Sequence, residues 1–191
     1  MQFTSLKIAD VIRVQTRRFG DDRGWFSETF KTSTFNEKVN KNISFVQDNH
    51  SFSAPVYTVR GLHYQSPPHA QGKLVRCPRG SILDVAVDIR RGSPTYGQWV
   101  SEVLSAENGT QLWVPEGFLH GFATLETDTE VQYKCTDYYA PECDGNIAWN
   151  DPTIGIDWGF DAGLAVLSNK DKVAPTFDTF ESPFQYNKAA Q

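Results

Sequence analysis

The sequence predicts an all-β protein, a β-barrel or sandwich with a few short helices, and three observations predict it. Short strand-like runs recur along the chain, broken by Gly, Pro, Asn and Asp; the clearest of them alternates at period two; and helical spacing is confined to one short stretch. That helical stretch is about residues 34–40, with Ser33 or Thr34 as the expected N-cap. Residues 81–89 (SILDVAVDI) form the clearest strand: Leu83, Val85, Val87 and Ile89 share one face, and Ile82, Asp84, Ala86 and Asp88 the other. The face with two aspartates is either solvated or the lining of a polar pocket. Further strands are expected at 98–104, 111–114, 122–125 and 130–136, separated by turn signals such as Glu107-Asn108-Gly109 and Pro115-Glu116-Gly117. The tail from about Pro175 is weakly patterned and is expected to pack outside a single domain spanning 1–191.

Composition narrows the class. A chain of 191 residues fits one domain. With 18 basic against 23 acidic residues and a formal charge of −5, it lacks the basic surface of a general nucleic-acid binder. Hydrophobic residues at 39% and charged residues at 21% describe a globular chain. No apolar run approaches the roughly 20 residues of a membrane span. The N-terminus shows no basic segment followed by an apolar block, so a secretion signal is not expected. Cys77, Cys135 and Cys143 form no CxxC pair, and their odd number suits reduced thiols. The expectation is a soluble, cytoplasmic protein with no nucleic-acid or membrane partner.

Residues 109–120, GTQLWVPEGFLH, read G-x5-P-x-G-x2-H, the second signature of the cupin superfamily of small β-barrels. The Pro-x-Gly turn would return His120 into the barrel mouth. Metal-binding cupins take their other ligands from an H-x-H pair and a later glutamate. Here the corresponding stretch, RGLHYQSPPHAQGKLVRCPRG, offers His63, then Gln65 in place of the second histidine and Lys73 in place of the glutamate. An ammonium repels a divalent ion, and His69 lies in a Pro-Pro loop, so metal catalysis is not expected; no other cofactor is called for. What remains is a base with a cation nearby, since imidazole titrates near neutrality and an ammonium stabilises an oxyanion. Taken singly, His63 reads as a core histidine and Lys73 as a surface lysine; together, in a barrel with a broken metal site, they read as functional. Tyr133 shares a strand face with Val131 and Cys135, where it is either packing or a general acid.

The ordered segments FGDDRGWFSETF, FVQDNHS, RGLHYQ, QGKLVR, VPEGFLHGF, YKCTDYYAPE and LSNKD closely resemble those of dTDP-4-dehydrorhamnose 3,5-epimerases, over about residues 12–175. The resemblance implies a cupin-like jelly roll, a homodimer, no metal and a nucleotide-linked 4-keto-6-deoxysugar substrate. It places the proton-abstracting histidine at His63, its aspartate partner at Asp171, the lysine near the ketone at Lys73 and the proton-donating tyrosine at Tyr133. Substrate contacts fall on Arg60, His120, Gln47, Asp48, Asn49 and Lys170, and on Phe19, Arg23, Phe26 and Glu28 of a segment that completes the neighbouring subunit's site. Tyr139 matches the aromatic that stacks on thymine. Asp144 stands where the family often has glutamate, a contact shortened by one methylene. Parity suggests that Asp84 orients His120.

The implied reaction is epimerisation of dTDP-4-dehydro-6-deoxy-D-glucose at C3 and C5 to dTDP-4-dehydro-β-L-rhamnose. The alternatives are inversion at one carbon only, another nucleotide-linked 4-keto sugar, or a non-catalytic nucleotide-sugar binding barrel. One conflict stands. On a regular strand Arg60 and His63 point to opposite faces, so both enter one pocket only if Gly61 introduces a bulge or twist.

Overall fold

The computed structural model describes residues 1–187, and its strands fall between the Gly, Pro and Asn/Asp breaks. In chain order they are β1 (Gln2–Ser5), β2 (Ile12–Gln15), β3 (Phe19–Asp21), β4 (Gly24–Phe26), helix α1 (Thr32–Val39), β5 (Gln47–Ser53), β6 (Val59–Gln65), β7 (Lys73–Arg79) and β8 (Ser81–Asp88). Then follow β9 (Trp99–Ser105), β10 (Thr110–Val114), β11 (Phe118–Thr124), β12 (Thr129–Cys135), β13 (Asp144–Asn146) and the short helix α2 (Asn169–Lys172). One sheet runs β1-β2-β10-β7-β12-β5, a second β13-β6-β11-β8-β9, and β3-β4 stands apart as a hairpin.

The two large sheets form a sandwich whose shared interior includes Val75, Ile82, Ala86, Leu104, Leu112, Phe122 and Val131. The outer face of the five-stranded sheet is also covered: Val85, Val87, Ile89 and Leu119 pack under Trp149, Trp158, Phe177 and Phe184. The segment after Pro175 therefore lies over that sheet, tied by Arg91 N–H to Phe184 O and Tyr186 N–H to Arg91 O. The outer face of the six-stranded sheet carries an aromatic cluster in which Phe35 of α1 meets Phe3, Phe30, Phe45 and Trp113 edge-on or tilted.

This arrangement decides one open alternative and corrects two expectations. The aspartates of β8 are not on a solvated face, because both faces of that central strand are buried. Asp84 turns into the sandwich, and Asp88 is ion-paired with Arg90 at 2.7 Å and bonded by the Ser93 and Thr95 hydroxyls. Helix α1 begins at Thr32 with Lys31 at the N-cap and no side-chain cap, so neither Ser33 nor Thr34 serves. Its position is set by burial of Phe35 rather than by capping chemistry. Strand β11 starts at Phe118, four residues before the expected start at 122, because the Pro115-Glu116-Gly117 turn feeds directly into a run buried on both faces, where alternation leaves no trace.

The conflict between Arg60 and His63 resolves through the backbone. His120 pairs with His63 and Phe122 with Arg60, so two steps along β11 match three along β6, a bulge spanning Gly61 and Leu62. Gly61 has φ +144°, and a Cβ there would lie 2.6 Å from the Gly121 Cα, so no other residue fits without displacing β11.

Candidate active site

A cavity of about 420 Å³ opens between the sheets. Ser51 of β5, Lys73 of β7 and Tyr133 of β12 reach it from the six-stranded sheet; Arg60 and His63 of β6 and His120 and Phe122 of β11 reach it from the other. Residues 166–168 and Asp171 close one side. Each strand contributes through its inward set: Lys73 is in step with Val75, Tyr133 with Val131, and His120 with Phe122. Six of the sequence-predicted residues, His63, Lys73, Tyr133, Asp171, Arg60 and His120, thus line one cavity.

His63 Nε2 lies 2.6 Å from Asp171 Oδ1, with the histidine side chain 32% exposed and the carboxylate 3% exposed. The imidazole therefore faces the cavity while its partner is shut away from water. Ser168 donates to the other oxygen of Asp171 at 2.9 Å and accepts the Asp171 amide hydrogen at 3.1 Å. Burial alone would raise the Asp171 carboxyl, but hydrogen bonding and charge from His63, the Ser168 hydroxyl and Lys170 outweigh it and hold the group below its ordinary range. A carboxylate fixed in this way orients the ring and stabilises the imidazolium formed when His63 takes a proton.

A second pair lies beside it. His120 Nε2 meets Asp84 Oδ1 at 2.7 Å, both groups buried, and Asp84 Oδ2 has no hydrogen-bond partner. Asp84 is one of three neighbours, with Cys135 and Asp144, that favour the charged form of Lys73; removal from water acts more strongly and pushes the ammonium below its ordinary value of 10.5. Burial moves the Tyr133 phenol the opposite way, above its ordinary value, with Cys135 adding to the rise and Arg60 and Asn49 pulling it back. The cavity therefore holds an imidazole with a buried carboxylate, a lysine whose pKa burial lowers and a phenol whose pKa burial raises. That set can move a proton to and from carbon beside a polarised carbonyl.

Five further predicted residues, Gln47, Asn49, Tyr139, Asp144 and Lys170, are outside the cavity lining and form a second group. Gln47 accepts the Tyr139 amide hydrogen at 3.0 Å and donates to Asn49 at 3.0 Å, and Asn49 reaches Cys135 Sγ at 3.5 Å. Lys170 and the Tyr139 hydroxyl both bond Asp144 Oδ2, so the shorter carboxylate spans to its neighbours. Asp48 does not join this group. Strand alternation turns it to the outer face of β5, where it pairs with Lys134 at 3.0 Å. Phe19, Arg23 and Phe26 sit on the β3-β4 hairpin, with Glu28 just beyond it, and none of the four lines the cavity. The hairpin is open to solvent: Phe26 is 71% exposed, and Arg23 is paired to Asp21.

Two residues that brace the surroundings of the cavity were not singled out from sequence. Ser168 carries a legible signal, the Ser-x-x-Asp spacing of a capping box, in 168–171. Gln65 was read only as a missing metal ligand; it is buried and makes three hydrogen bonds to backbone. With its amide so engaged and Lys73 cationic, the donor set does not suit a metal, and no group of three His, Cys, Asp or Glu among the described residues is placed to hold one.

Comparison with known proteins places this geometry in a family. The family model described as dTDP-4-dehydrorhamnose 3,5-epimerase matches residues 5–179. An enzyme of that name from Sinorhizobium fredii is 54% identical over 188 residues, covering 98% of this chain and 95% of the relative. One from Escherichia coli is 50% identical over 178 residues, covering 93% and 95%. The crystal structure of a dTDP-6-deoxy-D-glucose-3,5-epimerase from Legionella pneumophila, in complex with dTDP-4-keto-L-rhamnose, superposes with a TM-score of 0.93 at 41% identity, covering 97% of this chain and 98% of that one. The sandwich is accordingly cupin-like, and the chain belongs to the dTDP-4-dehydrorhamnose 3,5-epimerase family.

Proposed function

We propose that this protein is an isomerase that epimerises dTDP-4-dehydro-6-deoxy-D-glucose at C3 and C5, giving dTDP-4-dehydro-β-L-rhamnose, in the cytoplasm and without a metal or other cofactor. The observation that carries the reading is the His63–Asp171 pair on one sheet side of the cavity, with Lys73 and Tyr133 on the other. C3 and C5 both flank the C4 ketone, so their hydrogens are acidified by enolate resonance. His63 removes the proton, and Asp171 balances the charge that results. Lys73 faces the oxygen on which the enolate charge develops. Tyr133, its phenol protonated, returns a proton from the opposite face. Arg60 and His120 supply positive or hydrogen-bonding groups for the diphosphate and sugar, with Asp84 orienting His120. Gln47, Asn49, Asp144 and Lys170 serve the substrate at the rim, where Tyr139 offers a ring to the base. A non-catalytic binding barrel would have no use for a histidine with a buried carboxylate facing a tyrosine. Turnover in D₂O with excess chelator, followed by NMR, tests the reading. Deuterium at both C3 and C5 of an inverted product is expected; label at one carbon, or dependence on added metal, would overturn it.

The protein acts as a homodimer in this reading, with Phe19, Arg23, Phe26 and Glu28 completing the neighbouring subunit's nucleotide site. The exposed rings of the β3-β4 hairpin and its distance from the cavity lining support that assignment. Arg23→Ala is expected to weaken dTDP binding and raise KM by about tenfold with kcat nearly unchanged, since a diphosphate contact exists in ground and transition states alike. A fall in kcat at unchanged affinity, by calorimetry and steady-state kinetics, would remove Arg23 from that role.

Of the two perturbed groups, Lys73 sets the alkaline limb. Lys73 acts as a cation, and burial lowers its pKa, so kcat falls as pH rises through a value below 10.5. Tyr133 is shifted upward and still holds its proton there. Lys73→Arg retains charge across this range, so the limb moves up in whatever activity remains. An unmoved limb in the pH profile of kcat would assign it elsewhere.

A further inference from the structure

We propose that Gln65 is a positioning residue that fixes the backbone under Tyr139 and thereby sets nucleotide affinity rather than the rate of proton transfer. The proposal rests on the reading of Tyr139 as the platform for the nucleotide base. The Tyr139 residue is 58% exposed, so apolar packing does little to hold its ring. The chain beneath it is pinned instead. Gln65 Nε2 donates to the Tyr138 carbonyl at 3.1 Å, and its Oε1 accepts the Ala140 amide hydrogen at 2.9 Å. Gln47 takes the amide hydrogen of Tyr139 itself at 3.0 Å. The carbonyl before Tyr139, its own N–H and the N–H after it are therefore all engaged by side chains from β5 and β6.

The residue type is dictated by this pattern. A backbone carbonyl and a backbone N–H approached together need a donor and an acceptor side by side, which among side chains only the amides of Asn and Gln offer in one planar group. The second amide hydrogen of Gln65 goes to the His69 carbonyl at 2.6 Å, so both donors are spent. Histidine cannot make this set of bonds, glutamate lacks the donors, and an apolar residue lacks everything. The position that would hold a metal in related barrels thus holds a peptide segment, two residues along the strand from His63. Because Gln65 is buried, the segment is ordered before any ligand arrives, and the entropy of ordering is not charged to binding.

The test uses Gln65→Met, which keeps length and removes all three bonds, and Gln65→Glu, which keeps the acceptor for Ala140 and loses both donors. Both are checked for folding by thermal melting, and Gln65→Glu serves alone if Gln65→Met does not fold. Three measurements follow: amide hydrogen exchange at Tyr139 and Ala140 without ligand, Kd for dTDP, and KM against kcat. The expected result is faster exchange at those amides, with Kd and KM both raised about tenfold and kcat within about twofold of wild type. In a Tyr139→Ala background, Gln65→Met should change the dTDP Kd by less than about twofold, because the two residues act through one platform. Unchanged amide exchange, a loss confined to kcat, or fully additive effects on Kd would each overturn the proposal. If Tyr139→Ala binds dTDP normally, the base-platform reading fails, whereas exchange at the two amides still decides the clamp on its own.

Discussion

Replacing His63 with alanine removes both inversion and the exchange of substrate hydrogens with solvent. With the His63 imidazole gone, the other histidine lining the cavity, His120, is buried and tied to Asp84, Asp171 is buried and bonded to Ser168, and Lys73 and Arg60 are basic side chains that offer no carboxylate or imidazole. Loss of about ten-thousandfold in both signals is expected, the upper end of what a positioned general base contributes. The assay is NMR in D₂O, integrating residual hydrogen at C3 and C5 against product formed. Exchange that survives in His63→Ala while inversion disappears would show that another group forms the enolate.

Tyr133→Phe gives the complementary result. The ring and its packing against the sandwich interior remain, while the transferable proton on that side is gone. His63 can return a solvent-derived deuteron to the face from which it took the proton. Exchange therefore continues, and inversion at C5 falls by about a hundredfold or more. The contrast between the two variants is the diagnostic measurement. If Tyr133→Phe loses exchange and inversion equally, the phenol takes part in forming the enolate, and a two-face mechanism is no longer tenable.

The residues that line the cavity were more legible in the sequence than the sheets that carry them. His63, Lys73, His120 and Tyr133 stand in short ordered segments, and parity alone linked Asp84 to His120. The strands at 98–104, 111–114 and 130–136 were recognisable within a residue or so, because each is flanked by turn residues. Strand β5, QDNHSFS, has too few apolar residues for alternation to register, and β7 contains Pro78. The early start of β11 was hidden because burial on both faces erases the period-two signal. Asp48 lies on the strand face opposite Gln47 and Asn49, as alternation along β5 dictates. The role of Gln65 was hidden because its partners, the carbonyls of His69 and Tyr138 and the amide of Ala140, are set by the folded loop and leave no mark in residue type.

The proposed proton acceptor and donor ride on different sheets, His63 on β6 and Tyr133 on β12. Their separation is therefore a thickness, set by how far apart Val75, Leu112 and Val131 hold the two layers. Packed interiors resist compression. A sugar ring of the right girth fills the gap, while a broader or flatter one meets only one of the two groups. Ring selectivity in this protein is thus written partly in aliphatic side chains that never touch the substrate.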